Sequence, residues 1–403
     1  MISMTSLPSE KIYTINPSKY RIESIDLLKG LVMVIMALDH VRDFFHHDAY
    51  LFNPTDPTHS SLPLFLTRFV THFCAPTFSL LAGLSAFMAG RRKTPGELSV
   101  FLLTRGVWLI LMEVTIVTFG WQFDPYFRMN GFAVIAALGF SMIALAGLIH
   151  LPRTGILIFS CVLIFGHNLL DTVHIPGNFL WSFFHDAAIF KTSSGFKFYM
   201  DYPVIPWLGI MSLGYWFGPF YDKSFDAQKR KSILNIIGIS AILLFIIFRA
   251  TNVYGDPVAF TTFETGSKTI MSFFQVTKYP PSLQYALITM GCGLLFLANT
   301  ENLRGTAVKF FSTFGRVPFF YFILHVYLIH LLAAFFAKAA GFGWLLLVLP
   351  DWIIEVPEIK QYGFDLWVTY IVWIGVILSL YPLCKRFDVY KQKHKAQWWL
   401  SYL

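Results

Sequence analysis

One apolar segment, IDLLKGLVMVIMALDHVRDFFHH, carries Lys29, His40, Asp43 and His47 through a stretch long enough to cross a membrane as a helix. At about 100° per residue, Lys29 and His40 fall within about 20° of one face and about 16 Å apart along the axis. Asp26, Met33, Met36, Asp43 and His47 continue that stripe. Ionisable groups in hydrocarbon are costly, so such a stripe is expected to face a protein interior or a wet cavity and to mark a functional site. Asp43 lies three residues after His40 and four before His47, spacings at which a carboxylate reaches an imidazole on the same face and supports it as a general base. A neutral His can take the proton of a hydroxyl or amine attacking an acyl carbonyl and return it to the leaving group. It can also carry the acyl group itself, and the residues leave both routes open. Without chemistry, Asp39, Arg42 and Asp43 would be an interfacial ion cluster and Lys29 would only reach for the headgroups. The spacing of His40, His46, His47, Asp48 and His59 matches no strong metal motif, and no metal is expected there.

The elements that must hold these groups follow from composition. With 56% hydrophobic and 13% charged residues over 403 positions, the chain is excluded from the ordinary soluble class. The expected fold is all-α, a polytopic transmembrane helical bundle of about ten spans, near 25–45, 64–89, 99–120, 131–150, 155–171, 202–220, 232–250, 281–299, 317–340 and 365–384. Lys and Arg gather in the N-terminal stretch (Lys11, Lys19, Arg21), in alternate loops (Arg91, Arg92, Lys93, Arg153, Lys229, Arg230, Lys231) and after Cys384, which predicts that both termini are cytoplasmic. The division expected is a cytoplasmic N-terminal tail at 1–23, a transmembrane domain at 24–385 and a basic cytoplasmic C-terminal tail at 386–403. The N-terminal stretch has no apolar core ending in a small-residue cleavage site, so no cleaved leader is expected. The +8 net charge needs no nucleic acid to explain it. Cys74, Cys161, Cys292 and Cys384 have no paired spacing and read as packing residues. Two outer loops, 172–201 and 251–280, are long enough to be lids or binding surfaces. GWLLLVLPDWIIEVP, broken by Pro350, reads as an interfacial helix.

Further polar positions divide between the two ends of such a bundle. Arg316, at the start of the ninth span, offers the fixed fork of donors suited to a phosphate, and His325 and His330 lie deeper in the same span. Lys278 and Tyr279, before the helix-starting Pro280 and Pro281, and Trp121, Gln122 and Asp124 at another outer helix end, are placed to contact an acceptor.

The segment SIDLLKGLVMVIMALDH resembles the opening helix of the membrane acyltransferase superfamily, in which a basic residue precedes a His by eleven positions, as Lys29 precedes His40. FCAPTFSLLAGLSAFMAGRR, YPVIPWLGIMSLGYWFG, KYPPSLQYALITMG, FGRVPFFYFILHVYLIH and the terminal WWLSYL resemble bacterial relatives of heparan-alpha-glucosaminide N-acetyltransferase. That resemblance implies transfer of an acyl group, typically acetyl, from cytoplasmic acyl-CoA to a sugar or glycan acceptor on the outer side of a bacterial inner membrane. It implies no tightly bound cofactor. The expected partners are acyl-CoA, the acceptor and membrane lipids, and a homodimer is an allowed assembly. In the eukaryotic lysosomal enzyme the catalytic His falls in the loop after this helix, near His46 or His47. His40, Asp43, His47 and Lys29 are therefore the catalytic candidates, with Arg316, Lys29 and His325 on the acyl-CoA side. Lys278, Tyr279, Asp124, Trp121 and Arg42 are the candidates on the acceptor side. The rival reading is a transporter or flippase using the same stripe as a proton or substrate pathway.

Overall fold

The computed structural model describes residues 22–402, so Lys11, Lys19, Arg21 and nearly all of the expected 1–23 tail lie outside the described residues. The helices are α1 (Glu23–Phe45), α2 (Leu62–Thr71), α3 (Cys74–Gly90), α4 (Pro95–Met112), α5 (Thr118–Gln122), α6 (Val134–Leu148), α7 (Arg153–Gly166) and α8 (Phe179–Phe184). They continue as α9 (Val204–Phe217), α10 (Ala227–Thr251), α11 (Gly266–Phe274), α12 (Leu283–Thr300), α13 (Thr306–Arg316), α14 (Pro318–Ala339) and α15 (Leu366–Lys393). The protein is all-α and polytopic. Among the described residues, seven helical segments are long and apolar enough to cross a membrane: Leu62–Gly90, Pro95–Gln122, Arg153–Leu170, Ala227–Thr251, Leu283–Thr300, Pro318–Ala339 and Leu366–Lys393. Three further expected spans coincide with helices of a different kind. α6 and α9 are apolar but only 15 and 14 residues long, and α1 is charged.

α1 is the post around which the bundle is built, packing against α2, α3, α12, α13, α14 and α15. Its burial explains how it tolerates charge, because Lys29, Asp39, His40, Arg42 and Asp43 face neighbouring helices and an internal cavity. Where α1 crosses α13 the two backbones nearly touch. A Cβ on Gly30 would sit 1.8 Å from the Phe311 carbonyl oxygen, and one on Gly315 would sit 2.0 Å from that of Asp26. Such small-residue crossings let membrane helices pack closely.

α4 runs into a π-helical turn at Glu113–Val117 before α5, a local widening common at functional sites. Thr118 Oγ1 donates to the Glu113 carbonyl across the bulge at 2.8 Å. The bulge turns the Glu113 carboxylate onto the start of α6, where it accepts from the amides of Ile135 (2.9 Å) and Ala136 (3.0 Å). These are among the amides a helix leaves unpaired at its N-terminus.

The long 172–201 loop is not irregular throughout. β2 (Ala188–Lys191) and β3 (Lys197–Met200) pair antiparallel, Ala188 opposite Met200, and β1 (Met129–Phe132) joins β3 in parallel, Met129 opposite Lys197. The segment after Gly343 forms three short 3-10 turns instead of one interfacial helix, and an ion pair between Lys197 and Asp351 ties it to the sheet. Past Cys384 the chain stays helical to Lys393 and returns at Tyr402 to Thr104 and Trp108, so the described part of the expected tail, 386–402, comes back to the bundle.

The Gly30 crossing makes a sharp prediction. Gly30→Val should destabilise the protein by at least the upper end of the about 1–3 kcal/mol typical of overpacking, because a backbone carbonyl cannot rotate away. Gly147→Ala, where a Cβ meets nothing within 4 Å, should be neutral. Thermal melting in detergent compares the two; equal melting temperatures would mean the α1–α13 contact is not tight.

Candidate functional site

A cavity of about 930 Å³ runs along α1 and through the bundle. Lys29, Met33, Met36, His40 and Asp43 line it, the stripe that helical periodicity predicts less Asp26 and His47, and Asp39, Arg42 and Phe44 line it beside them. Ser85, Ala89, Phe101, Arg105 and Tyr402 line one end, and Asn53, Asp351, Trp352, Glu355 and Lys360 the other. His40 lies in the wall between.

His40 Nδ1 is 2.8 Å from His325 Nε2, and His325 Nδ1 is 2.9 Å from the Tyr321 carbonyl oxygen. A carbonyl only accepts, so His325 carries its proton on Nδ1 and, when neutral, accepts at Nε2. His40 must then donate from Nδ1, which leaves its lone pair on Nε2. That is the tautomer a general base needs. Trp121 meets the His40 ring edge-on at 4.7 Å between centroids, and Phe44 stacks on Trp121 at 5.4 Å. The two imidazoles lie nearly parallel, 9° apart.

Asp43 therefore does not do what the spacing suggested. It accepts from Arg42 Nη2 at 2.5 Å, and the partner of His40 comes from α14. Arg42 also reaches Asp39 (2.6 Å), and Asp39 binds Arg68 (2.5 Å) and accepts from Thr71 Oγ1 (2.9 Å). Beside this network Lys278 sits over the rings of Tyr279 (5.0 Å) and Tyr202 (5.9 Å). Burial alone would raise the Tyr279 phenol, but the neighbouring Lys278 and Arg68 charges outweigh it and hold the phenol below its ordinary range. Burial pushes the nearby Asp201 carboxyl up to about 7, with Lys278 partly opposing. Asp201 and Tyr202 line the cavity with Lys278, Tyr279 and Trp121.

Other sequence candidates are brought elsewhere. His47 is exposed, bound to Asp48 (3.1 Å) and to the Phe364 carbonyl (3.2 Å), and does not line the cavity. Arg316 pairs with Asp388 of α15 at 2.7 Å, also off the cavity. Arg105, half-buried between Phe101 and Tyr402, and Lys29 are the cations that line that end instead. His325 stands behind His40 rather than in the cavity wall. Asp124 is buried and committed to Arg128 (2.9 Å) and the Tyr126 and Arg128 amides, so it is not a cavity group. His330 bridges the carbonyls of Gly120 (2.9 Å) and Leu347 (2.7 Å) and holds the cavity wall together.

Sequence reasoning missed Arg68, Arg105, Glu113, Asp201 and Tyr202 as lining residues. A lone charge within an apolar span, the signal used for α1, also marks Arg105 and Glu113.

Residues 21–250 match the family described as heparan-alpha-glucosaminide N-acetyltransferase, catalytic, and that stretch contains His40, Arg42, Arg68, Arg105, Glu113 and Trp121. No curated protein matches the chain. With the seven apolar spans, the match marks an integral membrane protein with transmembrane acetyltransferase-like character. Matched over more than half of its 403 residues, the chain belongs to the heparan-alpha-glucosaminide N-acetyltransferase catalytic family.

Proposed function

We propose that this protein moves an acyl group, acetyl by family, from cytoplasmic acyl-CoA to a hydroxyl or amine of a sugar or glycan on the outer side of a bacterial inner membrane, with His40 as general base. The observation that carries this reading is His40, with its lone pair on Nε2, in the wall of a cavity lined from both ends. The thioester arm enters past Arg105 and Lys29, and the acceptor enters past Lys278, Tyr279 and Tyr202. His40 Nε2 takes the acceptor proton as the oxygen or nitrogen bonds to the thioester carbonyl carbon. The C–S bond then breaks, and the imidazolium returns the proton to the thiolate, releasing free CoA. His325 supports each stage by accepting from His40 Nδ1, which stabilises the imidazolium without taking the proton away. Holding both substrates at one imidazole supplies the proximity that an uncatalysed transfer lacks.

Loss of the base costs roughly 10²- to 10⁴-fold in rate. His40→Ala should lose turnover on that scale while still binding acyl-CoA. His325→Ala should retain more activity, and His47→Ala should be close to wild type. Steady-state kinetics with labelled acetyl-CoA and a panel of amino sugars decides it; a dead His47 variant beside an active His40 variant moves the base to the loop.

Lys278→Ala should raise the acceptor KM and Arg105→Ala the donor KM, each with little effect on the other. Separate substrate titrations read this out, and equal effects on both substrates would make the residues structural. Arg316→Ala, by contrast, should act on stability through Asp388.

The Lys and Arg bias supports a topology with both termini in the cytoplasm and the 46–62 loop outside. A cysteine in place of His59 should react with an impermeant maleimide from outside intact cells. Reaction only after the cells are opened would reverse the topology.

A further inference from the structure

A second constellation lies away from the cavity, where α7 gives way to the 172–201 loop. His167 opens a 3-10 turn (His167–Leu170), Asp171 follows one turn later, and His185 caps the end of α8. One ligand atom from each of the three lies within 4.8 Å of the other two. His167 is 3% and His185 2% exposed, and Nδ1 of each has no hydrogen-bond partner. His185 Nε2 stands 3.4 Å from Asp171 Oδ1, too long for a good hydrogen bond. The pair on the same two segments, His174 and Asp186, shows the alternative: it closes on itself at 2.9 Å and is exposed.

Two buried imidazoles gathered at one carboxylate, each with a ring nitrogen left without a partner, make a set of donors that a metal ion completes. The carboxylate is already oriented, because Asn168 Nδ2 donates to Asp171 Oδ2 at 2.7 Å while Asn168 Oδ1 accepts from the Leu283 amide at 2.8 Å. Such outer partners are how metal-binding carboxylates and histidines are held. We propose that His167, Asp171 and His185 bind a divalent transition-metal ion, zinc by ligand type, with a fourth position left to water. Bonds of about 2.0–2.2 Å in a tetrahedron set ligand atoms about 3.4 Å apart. The 3.4 Å between Asp171 Oδ1 and His185 Nε2 meets this, and the His167 ligand atom, within 4.8 Å of the other two, closes on them by no more than about 1.4 Å. The ion pins the start of the 172–201 loop to α7 and, through Asn168, to the first amide of α12, just after Lys278 and Tyr279. Its role is to fix that wall, and the inference stands apart from the acyl-transfer reading.

The test uses full-length protein in detergent, purified with a histidine-free tag and without chelator, then equilibrated with zinc and gel-filtered. Mass spectrometry of the metal should find one zinc per chain, and cobalt in its place should give the visible bands of a tetrahedral site. His185→Ala and the isosteric Asp171→Asn should lose the ion and the zinc-dependent rise in melting temperature. His174→Ala and His40→Ala should keep both. Should the histidine variant fail to fold, Asp171→Asn and the wild-type stoichiometry still decide. No retained zinc in the wild type, or zinc retained equally by Asp171→Asn, overturns the proposal.

Discussion

Ionised side chains in a low-dielectric bundle must find partners, and this constraint organises the molecule around α1. Asp39, Arg42, Asp43 and Arg68 form a connected chain of ion pairs that α1 completes by packing against α2. Removing one partner from such a network leaves an uncompensated buried charge, at a cost of about 3–5 kcal/mol. The α1–α13 crossing at Gly30 and Gly315, the broken α2–α3 segment that delivers Arg68 and Thr71, and the loop that brings Lys278 are the means by which partners reach α1.

The same burial sets the state of His40, the base in the proposed reaction. Away from bulk water, the His40 tautomer is set by a two-step hydrogen-bond relay that ends on the Tyr321 carbonyl, and α14 exists at that position to supply it. A carboxylate behind His40 would have held its charge more strongly, but Asp43 is occupied by Arg42. A second neutral imidazole orients the first while adding no further charge to a crowded site. The cavity passes that imidazole and is lined by residues from both ends of the bundle.

Local periodicity made the α1 stripe legible: residues three, four and seven apart on one helix must share a face whatever else the chain does. The positions of the helices followed from apolar length in the same way. Contacts between distant segments carried no such signal. His325 is 285 residues from His40, and the choice of His325 over Asp43 depended on Arg42 claiming the carboxylate. The donor fork of Arg316 suits a phosphate, but its partner Asp388 lies 72 residues on, past Cys384, in a stretch whose sequence resembles a basic tail. The four-residue strands of the 129–200 region are too short for alternation to show. Chemistry carried by one helix was readable, and chemistry assembled between helices was not.

The central claim is that one imidazole serves substrates arriving from opposite sides of the membrane. The most direct measurement is transfer in proteoliposomes with labelled acetyl-CoA sealed inside and a membrane-impermeant amino sugar outside, after removal of external donor. The account predicts acetylated sugar outside, in proportion to reconstituted protein. Product that forms only when donor and acceptor share one compartment would contradict it.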